Sequence, residues 1–426
     1  MAETRGVRRL RGIDIFCIGL NAIVGSGIFL FPGKLAAAAG PASVAAFAAC
    51  ALLLAPVALC YAEMGAMVGE SGAAALYSRE AFGERVGYGI GVVAWAASVL
   101  SWAAVASALS GQVGYFFPAL GAPWAGRLLA AGCILAFGAL NYRGIEPGAR
   151  AVNLLTAAKL LPLAFFALVG LSALEAGRFS PFFSGERSFG RAVFLALWAL
   201  QGFEVVGVPA GEARDPQRDV PRAVIGSLSC AALLYCLIQT AAVGSFPDLR
   251  SSIERPLADA ARHVLGPWGG ALLAAAGAVS MTGFLAGEAL GAPRFLSSLG
   301  AASLARLRLC AVHARFLTPY RAIAATTAAG AALALVFDFS RLIDLSNLAV
   351  VCQYVACCLA VLVLRVRRPG VPRPYKVPCV WLTAPAGCAV SAWLMTQVSW
   401  QEAAGSAAVL AAGYLVKSRV DGRRPS

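Results

Sequence analysis

Gly25-Ser26-Gly27 stands in the middle of an apolar stretch running from Ile13 to about Ala39, between Ile15-Phe16-Cys17-Ile18-Gly19-Leu20 and Ile28-Phe29-Leu30-Phe31. Each glycine costs a helix roughly 1 kcal/mol relative to alanine, and a broken helix leaves backbone N–H groups that lipid cannot satisfy. Such backbone is tolerated at membrane depth where it is buried in protein or lines a cavity, and there it can hold a ligand. Two charged side chains also interrupt apolar runs, Lys159 in Thr156-Ala157-Ala158-Lys159-Leu160-Leu161-Pro162 and Glu204 in Gln201-Gly202-Phe203-Glu204-Val205. Ionisable groups at this depth are costly and face the protein interior or a water-filled cavity. Catalytic and metal chemistry finds little support. There is no HExxH or GxSxG, the two histidines (His263 and His313) lie away from the middle of any apolar run, and no Cys/His cluster has metal spacing. No cofactor is expected.

The elements that must position these residues are membrane spans. Of the 426 residues 59% are apolar and 13% charged, and runs of spanning length recur from end to end. About twelve spans are predicted, at 13–37, 42–64, 87–116, 124–141, 150–173, 189–211, 222–245, 267–291, 319–337, 341–365, 379–397 and 401–417. The chain is thus expected to be an all-α polytopic membrane protein. The first run is too long and too polar at its centre for a cleaved signal peptide. The net charge of +14 does not point to nucleic acid, because the basic residues sit in alternate loops. Arg5, Arg8, Arg9 and Arg11 precede span 1, Arg214, Arg218 and Arg222 follow span 6, and Arg365, Arg367, Arg368, Arg373 and Lys376 follow span 10. This positive-inside bias predicts cytoplasmic tails at 1–12 and 418–426, in a cell inner (cytoplasmic) membrane. The twelve cysteines lie almost wholly in spans and read as small packing residues.

Span 6 repeats the oddity of span 1. Phe194 to Gly207 carries Gln201, Gly202 and Glu204 at its centre, five spans after the first break. Close helix packing through small residues explains one glycine-rich span; two in register point to an inverted repeat with a site between the breaks. The expected units are therefore 13–173 (spans 1–5) and 189–365 (spans 6–10), an odd five spans each and so opposite in topology, with 379–417 appended.

Several motifs carry a family resemblance. Gly25-Ser26-Gly27-Ile28-Phe29 with Pro32 and Gly40-Pro41 resembles the first-span motif of amino acid–polyamine–organocation (APC) superfamily permeases. Tyr61-Ala62-Glu63-Met64-Gly65, Tyr77-Ser78-Arg79-Glu80-Ala81-Phe82-Gly83 and Asn141-Tyr142-Arg143-Gly144 are similar to later segments of that family. So are Gly202-Phe203-Glu204 with Glu212-Ala213-Arg214-Asp215-Pro216, Ala292-Pro293-Arg294, Phe316-Leu317-Thr318-Pro319 and Arg373-Pro374-Tyr375-Lys376-Val377-Pro378. The matches fall in order over nearly the whole chain.

The resemblance implies a five-plus-five inverted repeat with helices 1 and 6 broken, and a central site for an amino acid or amine. A substrate carboxylate would meet the N–H groups of Ser26, Gly27 and Ile28 at a half-helix amino terminus, with Gly25 permitting close approach. The ammonium would meet carbonyls of Trp198, Ala199 and Leu200 ahead of Gly202. Trp198 reads either as a lid on the substrate or as packing. Trp102 aligns with a site position on span 3, where its bulk would shrink the pocket and disfavour a large cationic substrate. Gln201, Met281, Thr282, Phe284, Ser346 and Asn347 are further pocket candidates. In the resembling family a lysine at the position of Lys159 replaces a sodium ion against the broken first span. Contact with Ala22-Ile23-Val24-Gly25 and sodium-independent transport are therefore expected, against snorkelling to the interface. Glu204 reads as a gate or proton-sensitive link, or as a structural carboxylate fixing the break. Glu288 is expected to form a solvated pair with Arg294. The expected activity is secondary transport of an amino acid, neutral by preference, by proton coupling or exchange. A cationic amino acid or polyamine antiporter and a sensor without turnover are the alternatives.

Overall fold

The computed structural model describes residues 10–70, 72–144, 149–183, 188–302 and 309–397. Fourteen α-helices occur among the described residues: α1 (Gly12–Ile23), α2 (Gly27–Ala39), α3 (Ser43–Val68), α4 (Ala73–Phe82), α5 (Glu84–Val113), α6 (Pro123–Tyr142), α7 (Ala149–Ser172), α8 (Phe189–Leu200), α9 (Pro216–Ser245), α10 (Pro256–Leu265), α11 (Pro267–Ala302), α12 (Tyr320–Val336), α13 (Phe339–Arg367) and α14 (Val380–Met395). No strand is present among the described residues; a single bridge ties Leu10 to Ala213.

Seven stretches among the described residues are long and apolar enough to cross a membrane, the first of them Gly27–Val68, which joins α2 and α3. Gly12–Ile23, Thr156–Ser172, Tyr320–Val336 and Val380–Met395 are shorter apolar helices. Span 1 divides between α1 and α2, with 12 and 13 residues, each too short to cross a bilayer of about 30 Å alone. The expected span 401–417 lies outside the described residues. Leu52, Leu154, Leu161, Leu168 and Leu233 are exposed on the helix surfaces, as lipid-facing residues must be. Trp124 and Trp268 stand exposed at the starts of α6 and α11, the position of an interfacial aromatic belt.

The second break departs from a simple interrupted helix. Beyond α8 the chain continues as 3-10 turns at Phe203–Gly207 and Ala210–Glu212. Gly202, Gly207, Pro209 and Gly211, with the β-branched Val205, Val206 and Val208, weaken an α-helix here. Two helices were also not foreseen. α4 fills part of the stretch after span 2, and α10 sits between spans 7 and 8 with Pro256 at its first turn.

All twelve cysteines are free thiols, and Cys50, Cys60, Cys357 and Cys358 are buried among apolar neighbours. The strongest polar tie is elsewhere. Glu63 on α3, 1% exposed, accepts hydrogen bonds from Arg365 Nε (2.8 Å) and Nη2 (2.6 Å) at the end of α13. The Val377 N–H donates to it at 2.7 Å, and Arg373 Nε stands 3.4 Å away. One carboxylate thus joins α3, α13 and the segment leading into α14. Removing one partner of a buried ion pair leaves an uncompensated charge, at a cost of about 3–5 kcal/mol. Glu63→Gln is expected to lower the thermal unfolding temperature of the detergent-solubilised protein markedly. Glu175→Gln, which breaks the exposed pair with Arg178 (2.8 Å), should leave it nearly unchanged.

Candidate substrate site

The two breaks touch. Gly202 has φ +122°, open to glycine but strained for other residues, and a Cβ there would lie 2.7 Å from the Ala22 carbonyl carbon. Reciprocally, a Cβ on Gly27 would lie 2.5 Å from Ala199 Cα. Only hydrogen at both positions lets the end of α1 meet the second break while the start of α2 meets the end of α8.

The backbone groups freed by the first break have unlike fates. On the carbonyl side, Lys159 Nζ, 1% exposed, donates to Asn21 O (3.0 Å) and to Val24 O. The Tyr235 hydroxyl donates to Ile23 O at 3.0 Å, and Ser280 Oγ lies 3.2 Å from Val24 O and 3.1 Å from Gly25 O. On the N–H side, the first backbone bond of α2 runs from Phe29 N–H to Ser26 O at 3.1 Å. Among the described residues none accepts a hydrogen bond from the N–H groups of Ser26, Gly27 or Ile28. These open donors carry the positive end of the α2 dipole and suit an anion.

A cavity of about 250 Å³ adjoins them. Gly25, Ser26, Gly27, Trp198, Gln201, Gly202 and Glu204 line it, together with Tyr61, Phe284 and the Ser98–Ser101 face of α5. Its lining continues past Ile18 of α1, Ala73 of α4 and Phe295 of α11, toward the end of the bundle where α1 begins. At the other end the Trp198 indole N–H donates to Ser26 Oγ at 3.3 Å, bridging the two breaks. α8 makes its last backbone bond from Gln201 N–H to Leu197 O (2.8 Å), so the carbonyls of Trp198, Ala199 and Leu200 lie beyond the helical ladder. Gly202 N–H turns instead to the Glu204 carboxylate at 2.9 Å, which also accepts from the Tyr354 hydroxyl at 3.1 Å. The ring of Tyr354 stacks on Phe203, with centroids 5.4 Å apart.

The family model described as amino acid permease matches residues 10–411. The chain belongs to the amino acid permease family. The permease is 27% identical over 414 residues to the branched-chain amino acid permease BcaP of Bacillus subtilis, covering 92% of this chain and 88% of that one. It is 26% identical over 404 residues to the methylthioribose transporter of the same organism, covering 91% and 88%. Similarity to the human cationic amino acid transporter 4 reaches 30% over 397 residues, covering 87% of the permease and 62% of the human protein. The permease is a multi-pass membrane transporter and not an enzyme.

Several candidates in the permease fall outside the cavity wall. Trp102 is fully buried away from it, donating its indole N–H to Leu285 O at 3.0 Å and packing near Gly330 of α12. Ala97, Ser98, Ser101 and Val105 present the cavity face of α5, and Trp102, one residue and about 100° on from Ser101, points into the helix packing behind. Ile28, Ala199 and Leu200 are buried behind the lining, so any part they play is through the backbone. Thr282 is exposed and bonds its own helix at Ala278 O, and Met281 is buried outside the cavity. Ser346 is spent on Ser101 Oγ (2.8 Å). Asn347 is buried, and its amide atoms find no partner among the described residues.

Glu288 corrects the expectation of a solvated pair. It lines the cavity close to the Ser98 side chain of α5. Tyr235 and Ser280, which satisfy the carbonyls of α1, had no signal in sequence, since a lone tyrosine or serine in an apolar helix is ordinary. Leaving a buried acceptor unpaired costs about 1–3 kcal/mol. Tyr235→Phe and Ser280→Ala are each expected to lower thermal stability in detergent, with Ser280→Ala the larger, because Ile23 O keeps the Gly25 N–H at 2.8 Å whereas Ser280 is the one partner found for Gly25 O among the described residues.

Proposed function

We propose that the permease is a secondary active transporter that moves an amino acid across the cytoplasmic membrane by alternating access, without sodium. The observation that carries this reading is the set of open N–H groups at Ser26, Gly27 and Ile28, the first two in the wall of a cavity whose other wall is the broken end of α8. A carboxylate on those donors leaves the α-ammonium near the carbonyls of Trp198, Ala199 and Leu200. Opposite half-helix ends thus recognise the two charges common to every amino acid. Trp198 acts as a lid over the bound backbone, and Glu204, tied to Gly202 N–H and Tyr354, acts as the gating group of the second break.

The basic loops place both termini in the cytoplasm. The cavity then extends to the cytoplasmic side, which makes this an inward-facing arrangement. On the opposite side Arg191 at the start of α8 pairs with Asp344 of α13 at 3.4 Å, and Lys34 Nζ lies 4.3 Å over the Phe339 ring. Residues 13–173 and 189–365 form the two inverted repeats, each opening with a broken span. Lys159 holds the carbonyl end of α1 with a fixed ammonium, where a bound cation would otherwise meet those carbonyls. Proton coupling and exchange both fit this scheme.

The expectation of a neutral substrate rested on Trp102 narrowing the pocket. With Trp102 outside the cavity that restriction is gone, and two carboxylates in the wall favour a cationic side chain. The relatives named for branched-chain and for cationic amino acids are compatible with either.

Counterflow of labelled amino acids into proteoliposomes tests the reading. Exchange is expected for at least one amino acid, at the same rate when choline replaces sodium at constant pH. A rate that vanished in choline would overturn the role of Lys159. Binding with no counterflow would make the protein a sensor.

A further inference from the structure

We propose that Glu288 is the specificity residue of the permease, holding the positively charged end of a substrate side chain such as that of lysine or arginine. The inference rests on the amino acid transport reading above and adds what the backbone contacts at the two breaks leave open.

Glu288 and Glu204 both line the cavity, but only one of them is committed. Glu204 Oε2 accepts from both Gly202 N–H and the Tyr354 hydroxyl, so this carboxylate is tied to the second break. Among the described residues the Ser98 side chain is the one polar partner found near Glu288. Among the described residues that line the cavity there is no lysine, arginine or histidine. A carboxylate at this depth is kept where it faces a pathway and meets a counter-charge. The cavity wall does not supply that charge, and a substrate does.

The position matches the reach of such a side chain. Phe284 lies against the first break, its ring 3.5 Å from where a Cβ on Gly25 would stand. Glu288 follows four residues later on α11, about 6 Å further along the helix at 1.5 Å per residue. It lies on the side of the cavity that runs away from the Ser26–Trp198 bridge. An amino acid anchored by its carboxylate at Ser26–Ile28 would extend its side chain in this direction, past Ala97 and Gly287, which leave room for methylenes. The three- or four-carbon stem of arginine or lysine suits an apolar channel that ends in a counter-charge. Glu204 then remains available to fix the break instead of pairing with the substrate.

The test compares substrate preference in wild type and two variants reconstituted in liposomes. In wild type, lysine and arginine are expected to inhibit counterflow more strongly than methionine or glutamine, which have similar length and no charge. Glu288→Gln should raise KM for lysine and arginine by on the order of a hundredfold, as expected for loss of a charge partner in a cavity wall, and leave KM for the neutral amino acids unchanged. Glu288→Asp keeps the charge on a shorter arm, so it should retain the cationic preference and shift it toward arginine. Neutral amino acids outcompeting lysine and arginine in wild type would overturn the proposal. So would an equal loss of both classes in Glu288→Gln, which marks a structural role, or a changed pH profile with unchanged preference, which marks proton transfer. If no amino acid exchanges at all, the transport reading has failed. Thermal stabilisation of wild type, but not of Glu288→Gln, by lysine would then still read the selectivity of the site.

Discussion

The contact between the two broken backbones is the constraint on which the rest of the structure depends. Gly202 must pass within van der Waals range of the Ala22 carbonyl, and Gly27 must pass equally close to Ala199. A methyl group at either position would collide with main chain, which cannot rotate away as a side chain can. Once these approaches are made, three half-helix ends and a 3-10 turn converge in one small volume. Their hydrogen-bonding groups must then be satisfied by side chains from elsewhere or be left to a ligand.

The distribution of those partners is one-sided. Lysine, tyrosine and serine from α7, α9 and α11 converge on the carbonyls of Asn21, Ile23, Val24 and Gly25. The ammonium of Lys159 also complements the negative end of the α1 dipole, so the charge is favoured where the backbone is least paired. The amino-terminal donors of α2 have no such shell. Their nearest ordered partner is across the gap, where Trp198 bonds the Ser26 side chain and leaves the Ser26 N–H untouched. One end of the break is filled by side chains and the other left open, although both arise from the same Gly-Ser-Gly interruption.

Sequence made this much of the site legible because it was written in local terms. Glycines in apolar spans and charges in hydrocarbon are anomalies that need no knowledge of neighbours, so Gly25, Gly27, Gly202, Lys159 and Glu204 stood out at once. What escaped was rotational. Trp102 and Ser101 are adjacent in sequence and face different surroundings, and nothing in a uniformly apolar helix marks which face a cavity will use. Glu288 was misplaced for the same reason, since its nearest charged neighbour along the helix, Arg294, drew attention from Ser98 on another helix. The inner continuation of span 6 shows a third kind of limit. Its glycines announced a break, but nothing in the local sequence told 3-10 turns from a resumed α-helix.

The polar ties near the two ends of the cavity differ in strength, and the difference bears on how it could open the other way. Glu63 with Arg365 and Arg373 is almost wholly buried and joins α3 to the α13–α14 segment. None of the three lines the cavity, so this cluster can hold a rigid frame while the broken helices move. At the closed end an ion pair joining α8 to α13, Arg191 with Asp344, is long at 3.4 Å and partly exposed. Pairs of that kind contribute about 0–1 kcal/mol. The barrier at that end is therefore set mainly by apolar packing and by the Trp198–Ser26 hydrogen bond, which sits directly over the open donors of α2. A substrate carboxylate bound to those donors would lie beside the hydroxyl that Trp198 uses. In the proposed cycle, binding and opening would thus be linked through Ser26, the residue at the centre of the first break.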